Sequence, residues 1–380
     1  MNIGITCYPT YGGSGIVATE LGMELAARGH DVHFISYAHP IRLDTGSAEG
    51  RIHYHEVEVA NYPLFAYPPY CLALAARMAD VATSYSLDVL HVHYAIPHSV
   101  SALLARQMLH KRSARLPFVT TLHGTDITLV GMEPSYFEIT KFSIEESDGV
   151  TAVSQYLVDR TREVFGVTAP MRAIHNFVNC SLYRPAPSGQ AAPRAPRLAH
   201  ISNFRPVKRP LDCIRVFARV AATHPDAELW MVGDGPERSP AEHLAHELRV
   251  KDRVRFLGKQ DHIDRVLPQC DVLLLPSEHE AFGLAALEAM ACGVVPIATR
   301  TGGVGELVTN GVDGYLEEIG AVEAMAARAG ELLTSSVHRG TMSAAARHTA
   351  ETRFCTDLII PQYEAYYRDV IAAGAGKRSF

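Results

Sequence analysis

Residues 271–299 read DVLLLPSEHEAFGLAALEAMACGVVPIAT. The stretch opens on a short apolar run, crosses a polar loop at Pro276 to Glu280, continues as an Ala- and Leu-rich helical segment and closes on a second apolar run. Strand, loop, helix and strand in that order make one βαβ unit, whose two strands lie parallel in a sheet. The same alternation extends in both directions. Upstream stand LAHISNF, AELWMVGDGP and RVRFLGK, separated by the amphipathic segments PLDCIRVFARVAATH and AEHLAHELR. Further upstream, NIGITCY, DVHFISY, LDVLHVHY, PFVTTLHG and DGVTAVS form an earlier series of the same kind. Between the two series lies RPAPSGQAAPRAP, residues 184–196, which has no periodicity and marks a boundary.

The expected fold class is therefore α/β, with two Rossmann-like, doubly wound parallel-sheet domains facing a central cleft. Residues 1–184 form the first domain, 185–196 a linker and 197–358 the second domain. The segment LIIPQYEAYYRDVIAA is helical and contains Pro361, where it is expected to kink and cross back, so that about 359–380 packs on the first domain, with GAGKRSF as a loose tail. A chain of 380 residues has room for two such cores.

Composition narrows the partner. A net charge of −6 gives no electrostatic footprint for nucleic acid or for an anionic membrane surface, so a small molecule is expected and no nucleic acid. No apolar run approaches the roughly 18 residues of a membrane span, and MNIGITCYP has no basic leader, so we expect a cytoplasmic protein without membrane contact. The seven cysteines are scattered and form no CxxC pair, which reads as reduced thiols and no zinc site. Homo-oligomerisation is left open.

Ligands of open α/β sheets bind beyond the carboxyl ends of the strands, so the loops there carry the candidates. After the first strand, Gly12, Gly13, Ser14 and Gly15 bring backbone N–H groups to a helix start, where anions are favoured, although a tight turn alone explains the glycines as well. SNFRPVKR places Arg205, Lys208 and Arg209 after a second-domain strand, where they could clamp a diphosphate rather than merely face solvent. Gly233 and Gly235 follow the next strand, and Gly258, Lys259 and Gln260 the one after; both groups suit a close backbone approach to a base or ribose, or a plain turn. His91 and His93 alternate on one strand without a third metal ligand and read as structural, whereas His123 follows its strand where it could hydrogen-bond a substrate hydroxyl, and Tyr94 ends its strand as either a second-substrate contact or a core aromatic.

Glu280 and Glu288 are eight positions apart, roughly 12 Å on a continuous helix, too far for the roughly 5 to 10 Å of a glycosidase acid/base pair. With a helix starting at Ala281 to Gly283, the N–H groups of Ala281, Phe282, Gly283 and Leu284 become free donors. The arrangement suits an extended ligand, with Glu280 on sugar hydroxyls, the helix start on phosphates and Glu288 on ribose; a capping acid and a surface acid would give the same string.

EAFGLAALEAMACGVVPIAT and GGVGELV resemble the Glu-x7-Glu element and following loop of the family 4 retaining glycosyltransferases, which have the GT-B fold. More narrowly, GITCYPTYGGSG, HEVEV, YPPY, HVHYAIPHS, TTLHGTDIT, TAVS and HISNFRPVKR are similar to the branch that passes GlcNAc from UDP-GlcNAc to the hydroxyl of L-malate, the first step of bacillithiol biosynthesis. The resemblance implies UDP-GlcNAc as donor substrate, no cofactor and no metal. It also implies roles: Glu280 and His123 on the donor sugar, Arg205 and Lys208 on the diphosphate, Glu288 on the ribose, Gly258 to Gln260 beside the uracil, and Ser14, Gly15, Tyr94 and Thr121 at the acceptor. Three positions depart from the family pattern: Ala281 for serine, Gly305 for proline, and a proline shifted by one place in CGVVP. The rival readings are a family 4 enzyme with another acceptor such as an inositol phosphate or a lipid-linked sugar, a non-catalytic nucleotide-sugar-binding module, and a UDP-GlcNAc epimerase.

Overall fold

The computed structural model describes residues 1–10, 12–46, 48–60, 63–64, 67–111, 116–186 and 194–376. Of the expected linker and tail, 187–193 and 377–380 therefore lie outside the described residues. The chain divides into two compact units, one formed by residues 1–175 with 359 onward and the other by 176–358.

In the first unit, β1 (Asn2–Thr6), β2 (Asp31–Ser36), β3 (Ile52–Glu56), β4 (Val89–His93), β5 (Phe118–Leu122), β6 (Gly149–Ala152) and β7 (Met171–Ala173) form one sheet in the order 3-2-1-4-5-6-7. Every pairing is parallel, with β4 registered against β5 so that His93 stands beside Thr121. β4 and β5 are buried along their whole length. That is why they read as unbroken runs and not as an alternation: a parallel sheet is covered by helices on both faces. Leu74 and Met78 of the helix Tyr70–Tyr85 pack into a cluster with Ile35, Leu90, Val92 and Phe118.

The second unit repeats the plan with β8 (Arg197–Ile201), β9 (Glu228–Val232), β10 (Val254–Gly258), β11 (Val272–Leu275), β12 (Val295–Thr299) and β13 (Tyr315–Glu317), in the order 10-9-8-11-12-13 and all parallel. The helix Pro210–Thr223 buries Ile214, Phe217 and Val220 against Leu198, Leu229 and Met231. In both sheets the order reverses at the first strand, β1 or β8, so the loops after β1 and β4, and after β8 and β11, flank a topological switch point.

The unit boundary falls at His175, ahead of the Pro-rich stretch. Residues 176–184 group with the second unit because Val178 exchanges backbone hydrogen bonds with Phe354 and Thr356, and Arg347 holds the Cys180 carbonyl. Cys180 and Cys355 meet there as a disulfide, with Cα atoms 5.8 Å apart, which corrects the expectation of reduced thiols throughout. At a sequence separation of 175, no spacing announces the pair. The terminal helix Thr356–Gly376 is a single element with Pro361 inside it. From Ile359 it belongs to the first unit: Tyr367 Oη lies 2.7 Å from His91 Nδ1, Glu364 pairs with His30 at 2.8 Å, and the Tyr366 hydroxyl accepts from Val150 N–H at 2.9 Å.

Candidate active site

In the second unit, the loop after β8 and the loop after β11 are tied together by Glu278 N–H donating to the Val207 carbonyl at 2.8 Å. Across that tie, Lys208 Nζ lies 2.6 Å from Glu280 Oε1, and the Ser277 hydroxyl donates to the same oxygen at 2.8 Å. An ammonium has three N–H donors, so this bond orients Lys208 and leaves two for a ligand. Arg209 is used otherwise. It bonds Asp212 at 2.6 Å and Glu278 at 2.7 Å, which makes it a brace between the two loops. Arg205 is exposed; its carbonyl accepts the Lys208 N–H at 2.9 Å, while its guanidinium has no hydrogen-bonding partner among the described residues. Phe204 and Arg209, at φ 39° and 48°, flank the short turn that presents Arg205 and Lys208.

Glu280 is fixed from below by glycines. Gly303 N–H donates to the Glu280 carbonyl at 3.0 Å, and a Cβ on Gly302, at φ 55°, would sit 1.8 Å from that oxygen. The helix begins at Leu284 with Gly283 as N-cap at φ 97°, at the late end of the expected Ala281 to Gly283 range. The first-turn donors are accordingly Leu284 and Ala285, whose N–H groups meet no acceptor among the described residues. Phe282 is 1% exposed and packs edge-on against Phe354 at 5.4 Å, so its side chain is core and not a ligand contact. Glu288 is likewise inside, 5% exposed, and accepts the Tyr183 hydroxyl at 2.9 Å.

The remaining second-unit candidates have structural reasons for their residue type. A Cβ on Gly233 would lie 1.8 Å from the Ser202 carbonyl, and one on Gly235 would lie 2.1 Å from that of Asn203. Both glycines let the loop after β9 press on the loop after β8. Gly258 turns the chain at φ 67° with its carbonyl on Gly233 N–H, Gln260 folds back on the Leu257 carbonyl at 2.7 Å, and Lys259 stands exposed between them.

In the first unit, Tyr94 leaves β4 at φ 92° and stacks on the His123 ring, centroids 5.6 Å apart. His123 Nε2 lies 2.8 Å from His93 Nδ1. Burial and the nearby His98 ring push the His123 pKa down to about 3, so the imidazole is neutral. Asp126, fully buried, accepts N–H groups from His123 at 3.1 Å, Gly124 at 2.8 Å and Ala95 at 3.2 Å, which clasps the loops after β4 and β5. Burial pushes its carboxyl up to about 6 despite those bonds. Ser14 lies in the first turn of the helix Gly13–Ala27, and Gly15 is buried where a Cβ would meet the Tyr8 carbonyl at 2.5 Å.

Thr121 departs from its assigned place. It is fully buried, and its hydroxyl is taken up by His91 Nε2 at 2.6 Å and Thr151 Oγ1 at 2.6 Å, so it belongs to the core network and not to an acceptor pocket. His91 is structural as read, bonded on both nitrogens. Among the described residues no cluster of three metal-ligating side chains occurs, and no helix is long and apolar enough to cross a membrane.

Residues 11–182 match the model described as Glycosyltransferase Family 4, and residues 187–349 the model described as Glycosyl transferases group 1. An N-acetyl-alpha-D-glucosaminyl L-malate synthase from Bacillus anthracis is 46% identical over 377 residues, spanning 98% of this chain and 97% of that protein. This chain belongs to glycosyltransferase family 4. A more distant member, the D-inositol 3-phosphate glycosyltransferase of Mycolicibacterium gilvum, is 28% identical over 364 residues, 85% of this chain and 78% of that one. Among solved structures, sucrose-phosphate synthase from Thermosynechococcus elongatus superposes with a TM-score of 0.81 at 22% identity, covering 98% of this chain and 100% of that one. Anabaena HepE in complex with UDP-glucose gives 0.78 at 21%, covering 97% and 100%. The family 4 transferase thus has the GT-B fold, with its two Rossmann-like units as expected from the sequence.

Within this family 4 enzyme, the structure joins Lys208 to Glu280 and Tyr94 to His123, and leaves Thr121, Phe282 and the Glu288 carboxyl in packed surroundings. Sequence reasoning passed over Ser277, Asp126 and Tyr183. Asp126 had a legible signal, an acid three residues after His123 at the mouth of a short helix. Tyr183 had none, because 105 residues separate it from its partner Glu288.

Proposed function

We propose that this transferase moves GlcNAc from UDP-GlcNAc to the hydroxyl of L-malate with retention of the α configuration, without a metal, in the cytoplasm. Support for the transferred sugar and the acceptor comes from the B. anthracis relative, whose likeness runs through both units at 46% identity. The observation that carries the chemistry is the Lys208, Glu280 and Ser277 constellation at the end of β11.

In this reading Glu280 accepts from a sugar hydroxyl, and Lys208 and Arg205 face the diphosphate with the Leu284 and Ala285 N–H groups. Glu288 reads the ribose, and Gly258 to Gln260 border the uracil. Gly233 and Gly235 shape the floor beside them. His123 bonds the transferred sugar, while Ser14, Gly15 and Tyr94 border the malate. The sugar-to-phosphate bond breaks as the malate oxygen attacks from the same face, and the departing phosphate oxygen takes the hydroxyl proton. Positive charge and N–H donors aimed at that phosphate stabilise the transition state more than the ground state, which is where rate is gained.

The test is UDP release from UDP-GlcNAc with L-malate, D-malate, D-inositol 3-phosphate or no acceptor, with product anomer read by proton NMR and EDTA present in a parallel set. An α-linked malate product that survives EDTA is expected. Release only with D-inositol 3-phosphate would assign the acceptor of the M. gilvum relative instead. Tight donor binding with no product, or an epimerised sugar, would overturn transfer altogether.

A further inference from the structure

The His93 and His123 rings share one hydrogen bond, Nδ1 to Nε2 at 2.8 Å, and which ring donates decides what His123 offers to a ligand. Both rings are neutral: burial drives His93 well below the ordinary histidine range and His123 down to about 3. Each neutral imidazole has one N–H and one bare nitrogen. If His123 Nε2–H donated, His93 would have to hold its own proton on Nε2. That nitrogen is buried without a hydrogen-bond partner.

The neighbours offer no acceptor there. His91 lies tilted against His93 at 4.3 Å, but its nitrogens are taken by Tyr367 and Thr121. His98 Nδ1 lies 2.6 Å from the His93 carbonyl and must be the donor, which leaves His98 Nε2 bare, and that atom too has no partner. A buried N–H with no acceptor costs more than a buried lone pair with no donor. The proton therefore sits on His93 Nδ1 and points at His123, and the His123 proton sits on Nδ1, the nitrogen that has no partner among the described residues. The backbone on either side is held as well, by Asp126 on the His123 and Gly124 N–H groups and by Tyr94 stacked on the ring.

We propose that His93 is a positioning residue that locks His123 in its Nδ1–H tautomer, so that His123 meets the transferred sugar as a hydrogen-bond donor. The use made of that donor rests on the transfer reading above, whereas the tautomer itself does not. Long-range proton–nitrogen correlation spectra of the full chain labelled with 15N-histidine, at pH 7 without ligands, read the tautomer directly, with His123 assigned by the signal lost in His123→Gln. The pattern of an Nδ1–H ring is expected, and an Nε2–H ring overturns the proposal. In parallel, His93→Asn keeps an amide donor near the former Nδ1 position and is expected to hold kcat within about threefold, while His93→Leu lowers kcat about tenfold or more with the donor KM little changed. Equal losses in both variants, or none in His93→Leu, overturn it. Should His93→Leu fail to fold, the wild-type spectrum and His93→Asn still decide. If the wild type transfers to no acceptor, the transfer reading fails and the spectrum alone judges the tautomer.

Discussion

Lys208 shows how much one side chain is asked to do. Its ammonium is already oriented by Glu280 at 2.6 Å, and Ser277 holds that carboxylate in turn, so little ordering entropy remains to be lost when a phosphate arrives. Lys208→Ala is expected to lower kcat about a hundredfold while the donor KM changes much less, measured by steady-state UDP release. An unchanged kcat would remove Lys208 from the transition state. Glu288 should behave the other way. Its carboxylate is buried with one oxygen on Tyr183, so Glu288→Ala is expected to raise the donor Kd about tenfold or more with a smaller effect on kcat, as read by calorimetric titration of UDP-GlcNAc.

At the scale of elements, the site depends on loops locked by backbone contacts, with Arg209 as a side-chain brace between them. The segment Ser277 to Gly283 is held by Val207 on one side and by Thr301 and Gly303 on the other, through Glu278 N–H, the Glu278 carbonyl at 2.8 Å and the Glu280 carbonyl at 3.0 Å. Gly302 is what lets that last contact form, since any Cβ would strike the Glu280 carbonyl. Gly302→Ala combines that clash with a strained positive φ of 55°, and is expected to cost about 1–3 kcal/mol of stability or more together with about tenfold in turnover. Thermal unfolding and kcat measured on one sample check it. Gly305 is different, with open space where a Cβ would go, so alanine or the family's proline there meets no clash from its Cβ.

The whole molecule carries a pH signature from the histidines buried in its first unit. Burial holds His91 and His123 at about 3 and His98 at about 4, and His93 well below the usual range. Each stays neutral in the folded chain but takes a proton once unfolded below about 6.5, so stability is full above that pH and falls as pH drops toward the folded values, by up to about 1.4 kcal/mol per pH unit per ring. Asp126 acts oppositely. Its folded pKa of about 6 lies above the usual 3.8, so its share is complete below 3.8 and fades as pH rises toward 6. These four rings, with His33, His55 and His200 lowered in the same direction, outweigh one carboxyl and leave a net loss on acidification. The Tm is expected to fall steadily from pH 7 to pH 5, with a shallower fall in His98→Gln; a flat profile in the wild type would contradict the buried neutral network.

Much of this was readable from the chain. The uncharged runs NIGIT, VLHVH, FVTTL and VLLL each became a central strand, because strands buried on both faces exclude charge and keep polar side chains only where a hydrogen bond meets them, as for His91 and Thr121. The edge strands Met171–Ala173 and Tyr315–Glu317 were not legible, since three residues with a partly exposed face acquire strand geometry only from the neighbour they pair with. What the sequence alone determined was the fold class and the chemical types at the strand ends, both of which are local properties of residue order. Tertiary structure alone decided which of those groups meet. Lys208 finds Glu280 72 residues away, His93 finds His123, and Thr121 turns into the core, because side-chain partners are set by strand register and loop docking, which no spacing along the chain encodes.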